Sequence, residues 1–132
     1  MRVLLDTDAY SALMRGQDAV TARVRQAEGV LLSAIVAGEL LFGFRSGSRY
    51  ARNRKDLEAF LQNPYVEFVP VTWVTAERFG RIAAALRTKG KPVPTNDIWI
   101  AAHAMETGAD LLSFDQHYRH IDGIVWIDPS GE

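Results

Sequence analysis

Five short apolar runs recur along the chain: RVLLD (2 to 6), VLLS (30 to 33), VEFVPV (66 to 71), ADLLS (109 to 113) and IVWI (124 to 127). Each is too brief to show helical periodicity and is rich in the Val, Leu and Ile that suit an enclosed, pleated surface, so each reads as a buried strand. The segments between them carry helical spacing. In TNDIWIAAHAMETG, Ile98, Ala101, Ala102 and Met105 follow an i, i+3, i+4, i+7 pattern, and Gly108 stands where a C-terminal cap belongs. Phe79, Ile82, Ala83 and Leu86 do the same between Thr75 and Gly90, leaving Arg78 and Arg81 on another face. The prolines at 64, 70, 92, 94 and 129 fall at or near the junctions. Strands alternating with helices imply right-handed crossovers. The expected fold is therefore α/β in three layers, with a mainly parallel central sheet of four to five short strands flanked by helices.

At 132 residues, with no internal repeat or low-complexity tract, the chain reads as a single domain over 1–132. Hydrophobic residues make up 48% and charged residues 23%, which excludes a disordered or fibrous chain. There is no cysteine, so disulfides and thiolate metal sites are excluded. The most apolar segment, VLLSAIVAGELLFGF (30 to 44), is too short for a membrane span and contains Glu39. The start lacks a basic region followed by an apolar stretch. A soluble cytoplasmic protein with no membrane partner is expected.

In parallel sheets, ligands bind beyond the carboxyl ends of the strands, so position sorts the sixteen acids better than acidity does. Asp6 ends the first strand and Asp115 follows the fourth, so both can project over one edge. Asp6 is either a helix cap or a group held out for chemistry. Glu39 is the most informative acid. It shares a helix face with Ile35, Val36 and Phe42, where an apolar side chain is expected. An ionised group buried there without a partner costs several kcal/mol, so it needs a base, a shared proton or a cation, unless it simply reaches solvent. Asp97 lies in a first helical turn, where an acid also suits the macrodipole; Asp8 has a similar capping explanation, which is preferred for it. Asp6, Glu39, Asp97 and Asp115 together would raise one another's pKa unless a cation neutralised them. Oxygen ligands without thiolate select Mg²⁺ or Mn²⁺ rather than zinc.

LLDTDAY, the embedded Glu of IVAGELLFG, NDIWIAAHA and LLSFDQHY, in this order over nearly the whole length, resemble the PIN-domain ribonucleases, specifically the VapC-type toxins of toxin–antitoxin pairs. The resemblance implies that Asp6, Glu39, Asp97 and Asp115 are the catalytic, metal-binding acids, Asp115 being the one whose direct metal contact varies most. It implies that Ser113 and Thr7 support the site. It further implies Mg²⁺- or Mn²⁺-dependent cleavage of RNA, usually structured tRNA or rRNA, a homodimer, and a small VapB-like antitoxin in the active-site groove.

Net charge is −1, yet RSGSRYARNRK (45 to 55) and the stretch from Arg78 to Lys91 each hold five basic residues and no acid. Arg45, Arg49, Arg52, Arg54, Arg78, Arg81, Lys89 and Lys91 are candidate RNA phosphate contacts, against the alternative of solvated helix faces. His117 and His120 lie three apart, but a structural zinc site needs four ligands, and a packing or hydrogen-bonding role suits His117 better. Trp73, Trp99 and Trp126 are read as core before base-stacking.

Other functions fit less well. DTD after a strand suits haloacid-dehalogenase-like phosphatases, which need a later lysine and a second acidic pair; no lysine follows Lys91. A receiver-type signalling module needs an Asp ending its third strand, and VEFVPVTW has none. A PIN fold that is catalytically silent and only binds its antitoxin or operator complex is the remaining alternative.

Overall fold

The structure, a computed structural model, describes residues 1–131, so the last residue of the expected 1–132 domain lies outside the described residues. Five strands, β1 (Arg2–Leu5), β2 (Gly29–Ser33), β3 (Val66–Val69), β4 (Asp110–Leu112) and β5 (Trp126–Ile127), form one sheet in the order β3-β2-β1-β4-β5. Every pairing is parallel, with Leu4 opposite Leu31 on one side and opposite Leu111 on the other. Four of the strands are shorter than their apolar runs and β2 is one residue longer, and Asp6 and Ser113 fall just past the ends of β1 and β4.

The crossovers carry six helices: α1 (Thr7–Met14), α2 (Asp18–Gln26), α3 (Ala34–Ser46), α4 (Tyr50–Gln62), α5 (Trp73–Lys89) and α6 (Thr95–Thr107). Helices on both faces explain why the central strands are apolar without alternation: Val3, Leu4, Leu5, Leu31, Leu32, Leu111 and Leu112 are fully enclosed. Gly90 and Gly108 end α5 and α6 at φ 66° and 72°, a left-handed backbone that costs a residue with a Cβ 1–2 kcal/mol or so and glycine almost nothing.

α5 and α6 pack together, with Phe79 stacked on Trp99 at 4.2 Å between ring centroids. Thr75, wholly buried, donates to Glu106 across the same interface at 2.6 Å. The core reading fits Trp99 and half-buried Trp126, whose indole N–H donates to the Ser113 carbonyl at 2.9 Å. Trp73 departs from it. It is the first residue of α5 and 83% exposed.

Strand order reverses between β1 and β4: one crossover series runs from β1 outward to β2 and β3, and the chain then returns to β4 on the other side of β1. A crevice opens beyond the carboxyl ends of the strands at such a switch point. Residues following β1 and β4 meet there.

Candidate functional site

A pocket of about 450 Å³ lies at this crevice, lined by Asp6, Thr7, Asp8, Glu39, Phe42, Asn96, Asp97, Ile100 and Asp115. All four sequence-predicted acids reach it, from β1's end, α3, α6 and the loop after β4.

Asp6 is the helix cap the sequence offered, and it also lines the pocket. It caps α1, accepting from the Ala9 backbone N–H at 2.9 Å, and its second oxygen accepts from the Ser113 hydroxyl. Ser113 in turn accepts from the Asp115 N–H at 2.9 Å, so one buried hydroxyl ties the ends of β1 and β4 together. Burial pushes the Asp6 carboxyl up to about 6 despite these hydrogen bonds, with the nearby Asp8 and Asp97 charges adding to the rise.

Glu39 is held differently from expectation. Its helix face is half-open: Val36, Ala37 and Leu40 make the buried side of α3, and Phe42 is 74% exposed. No base pairs with Glu39 among the described residues. Its two oxygens accept from the Thr7 hydroxyl at 2.5 Å and from the Asn96 amide at 3.0 Å, neutral donors that fix the carboxylate while leaving its charge uncancelled. Asn96 escaped the sequence reading because an amide in a first helical turn carries no signal of its own.

Asp97 makes no capping hydrogen bond, since α6 starts from Pro94 without a side-chain cap. Its carboxylate faces the His117 ring, with Nδ1 3.3 Å away, and Asp115. Burial holds it above the ordinary carboxylate range, Asp115 raises it further, and His117 opposes both. Asp115 caps a 3-10 turn (Gln116–His120), accepting from the His117 N–H at 2.9 Å, while His117 Nδ1 lies 2.8 Å from the same oxygen. The hydrogen-bonding role expected of His117 is what the geometry provides. His120 takes no part: it lines another pocket with Arg81 and Asp122.

Beneath the acids sits Tyr118, 1% exposed, whose hydroxyl has no hydrogen-bond partner among the described residues. Burial first, then Asp97, Asp6, Asp115 and Glu39, raise its pKa, so a single phenol senses all four carboxylates. An orphaned hydroxyl under a ring of oxygen donors, with no thiolate in the chain, fits a hydrated hard divalent ion. Asp6, Glu39, Asp97 and Asp115 are the residues able to hold it.

The eight basic candidates do not line this pocket. Arg45 and Arg54 converge on the Tyr50 hydroxyl at 2.9 and 2.8 Å, and Arg54 also faces Glu58. Arg78 and Arg81 both engage Glu77, and Lys89 reaches Asp122 at 2.8 Å. The acids missing from the basic windows stand just outside them or on another element. Among the described residues, Arg49, Arg52 and Lys91 have no ion pair.

Comparison with known proteins identifies the family and the fold. The PIN domain family model matches residues 3–124. Ribonuclease VapC1 of Haemophilus influenzae (strain R2866) is 27% identical over 133 residues, covering 97% of this chain and 98% of that protein. Ribonuclease VapC2 of Haemophilus influenzae (strain ATCC 51907 / DSM 11121 / KW20 / Rd) is 31% identical over 116 residues, 86% of each. Among solved structures, VapBC-1 from nontypeable Haemophilus influenzae superposes with a TM-score of 0.86 at 24% identity, covering 98% of this chain and 99% of that one. DNA-bound VapBC from Salmonella typhimurium gives 0.85 at 25% identity, covering 98% of both.

Proposed function

This chain belongs to the PIN-domain family, as a VapC-type member, and from that premise we propose that it is a divalent-metal-dependent endoribonuclease, the toxin of a toxin–antitoxin pair. The observation that carries the reading is the convergence of Asp6, Glu39, Asp97 and Asp115 on one pocket at the strand-order switch.

The reaction is hydrolysis of an RNA phosphodiester: a water oxygen bonds to phosphorus, the ester P–O bond breaks, and the water's proton passes to a base. Bound Mg²⁺ or Mn²⁺ supplies a water of lowered pKa and offsets charge on the phosphorus oxygens. Asp6 and Asp97 serve as metal ligands, with Asp115 beside them. Ser113 holds the second Asp6 oxygen from behind, so that the carboxylate keeps one orientation. Glu39, locked by Thr7 and Asn96, is placed to accept a proton from water or to hold the ion through its hydration shell. Arg49, Arg52 and Lys91, unpaired among the described residues, are the stronger phosphate contacts; Arg45, Arg54, Arg78, Arg81 and Lys89 must first give up an intramolecular partner.

A VapB-like antitoxin is the proposed partner, supported by the VapBC complexes among the similar structures. A single domain, a homodimer, a structured tRNA or rRNA target and a cytoplasmic site of action complete the proposal. No helix among the described residues is long and apolar enough to cross a membrane. The test is cleavage of total RNA in Mg²⁺ or Mn²⁺ by the wild type and Asp6→Ala, with fragment 5′ ends sequenced after brief induction. Loss of cleavage in Asp6→Ala and in excess EDTA is expected. Equal activity in either would remove the mechanism and favour the catalytically silent binding module.

A further inference from the structure

We propose that His117 is itself a metal ligand: its Nδ1, Asp97 Oδ2 and Asp115 Oδ1 form one triangular face of the ion's coordination shell and favour Mn²⁺ over Mg²⁺. The inference rests on the metal-dependent reading above and names the selectivity of that same site.

One ligand atom from each of Asp97, Asp115 and His117 lies within 4.8 Å of the others. The ring nitrogen is 3.3 Å from Asp97 Oδ2 and 2.8 Å from Asp115 Oδ1. Adjacent ligands around a six-coordinate ion with bonds of about 2.1 Å stand about 3.0 Å apart, and the two separations bracket that value. The ring is aimed by its own turn. Asp115 fixes the His117 backbone N–H, and the next residue, Tyr118, is locked in the core, so the 3-10 turn cannot rotate without uncovering it. The buried Tyr118 hydroxyl, which feels the charges of all four acids, has no hydrogen-bond partner among the described residues.

The nitrogen matters for metal choice. Mg²⁺ is held through oxygen ligands and water, whereas first-row transition ions accept imidazole, and Mn²⁺ is one of these that also suits a carboxylate-rich shell. A His beside two carboxylates therefore adds affinity for Mn²⁺ that Mg²⁺ cannot match. Nδ1 binds an ion through its lone pair, with the ring proton carried on Nε2.

The experiment uses Mn²⁺ alone as the probe, bound to the full chain and to His117→Ala and Asp97→Ala. Spin-echo EPR reads ¹⁴N coupling to the ion, and competition with Mg²⁺ gives both affinities. The ring is 47% exposed on its side chain, so its removal takes nothing from the packed core. Wild type should show a directly bound nitrogen, absent in His117→Ala, with Mn²⁺ affinity in that variant reduced about tenfold or more and Mg²⁺ affinity changed by less than about twofold. Mn²⁺ bound in an Asp97-dependent manner without nitrogen coupling would overturn the role of His117 and leave the acidic site standing. Mn²⁺ binding that Asp97→Ala does not disturb would overturn the metal site and the ligand together.

Discussion

Asp6 shows how one residue carries two demands. As the cap of α1 it needs to accept hydrogen bonds, and at 6% exposure it must do so where an ionised carboxylate is poorly solvated. Its folded-state pKa, about 6 against 3.8, lies above the unfolded value, so ionisation works against folding. Stability from the protonated form is full below pH 4 or so and is lost as pH rises through about 6, a loss of about 3 kcal/mol at about 1.4 kcal/mol per unit. Urea denaturation across this window in EDTA should show metal-free wild type weakening with rising pH, and Asp6→Asn with a visibly flatter profile. Parallel profiles would mean that Asp6 is not the titrating group. Asp6 and Glu39 stood out in the sequence because they terminate or interrupt an apolar pattern, Asp97 and Asp115 because they sit at a helix start and after a strand, where the sheet edge is expected. Asn96 and the orphaned hydroxyl of Tyr118 were not, since a small amide and a core tyrosine are ordinary where they stand.

Elements transmit these positions, and α6 does most of it. In its first turn it offers Asn96 and Asp97 to the pocket; nearly two turns further along, His103 is wholly buried and holds two neighbours. A carbonyl can only accept, so Nε2–H donates to the Pro70 carbonyl at 3.0 Å, which leaves Nδ1 to accept from the Ser33 hydroxyl at 2.8 Å. Burial lowers the His103 pKa, consistent with a neutral ring. Ser33 also caps α3, the helix that carries Glu39, through the Ile35 N–H at 3.0 Å. His103→Leu keeps the apolar bulk but strands a buried carbonyl and hydroxyl, at about 1–3 kcal/mol each. Equilibrium urea unfolding should show a loss of about 2–6 kcal/mol; a loss under about 0.5 kcal/mol, the level of an ordinary surface substitution, would mean that the two groups find other partners. Element existence was readable from the apolar runs and the capping glycines. The exposure of Trp73 and Phe42 was not, because helical period says which residues share a face and nothing about whether a neighbour covers it.

At the scale of the molecule, a chain of net charge −1 concentrates five carboxylates, Asp8 with the four predicted acids, in one pocket and carries ten of its fifteen Lys and Arg between Arg45 and Lys91, four of them paired with acids. A divalent ion bound in that pocket would relieve the repulsion among the carboxylates. An ion bound only to the folded state should stabilise it by about 2.7 kcal/mol at a concentration one hundred times its Kd. Thermal unfolding with and without Mn²⁺ should show the shift in wild type and not in Asp97→Ala; an equal shift in both would place the binding elsewhere. The sequence by itself determined the alternation of strands and helices, the parallel sheet and the four acids, because periodicity, apolar runs and caps are local properties of the chain. Only the tertiary structure decided that Thr7 and Asn96 clamp Glu39, that Ser113 joins the ends of β1 and β4, and that His117 faces Asp97. Those contacts link residues 20 to 107 positions apart, and nothing in local spacing encodes which distant side chains the strand-order switch will bring within hydrogen-bond reach.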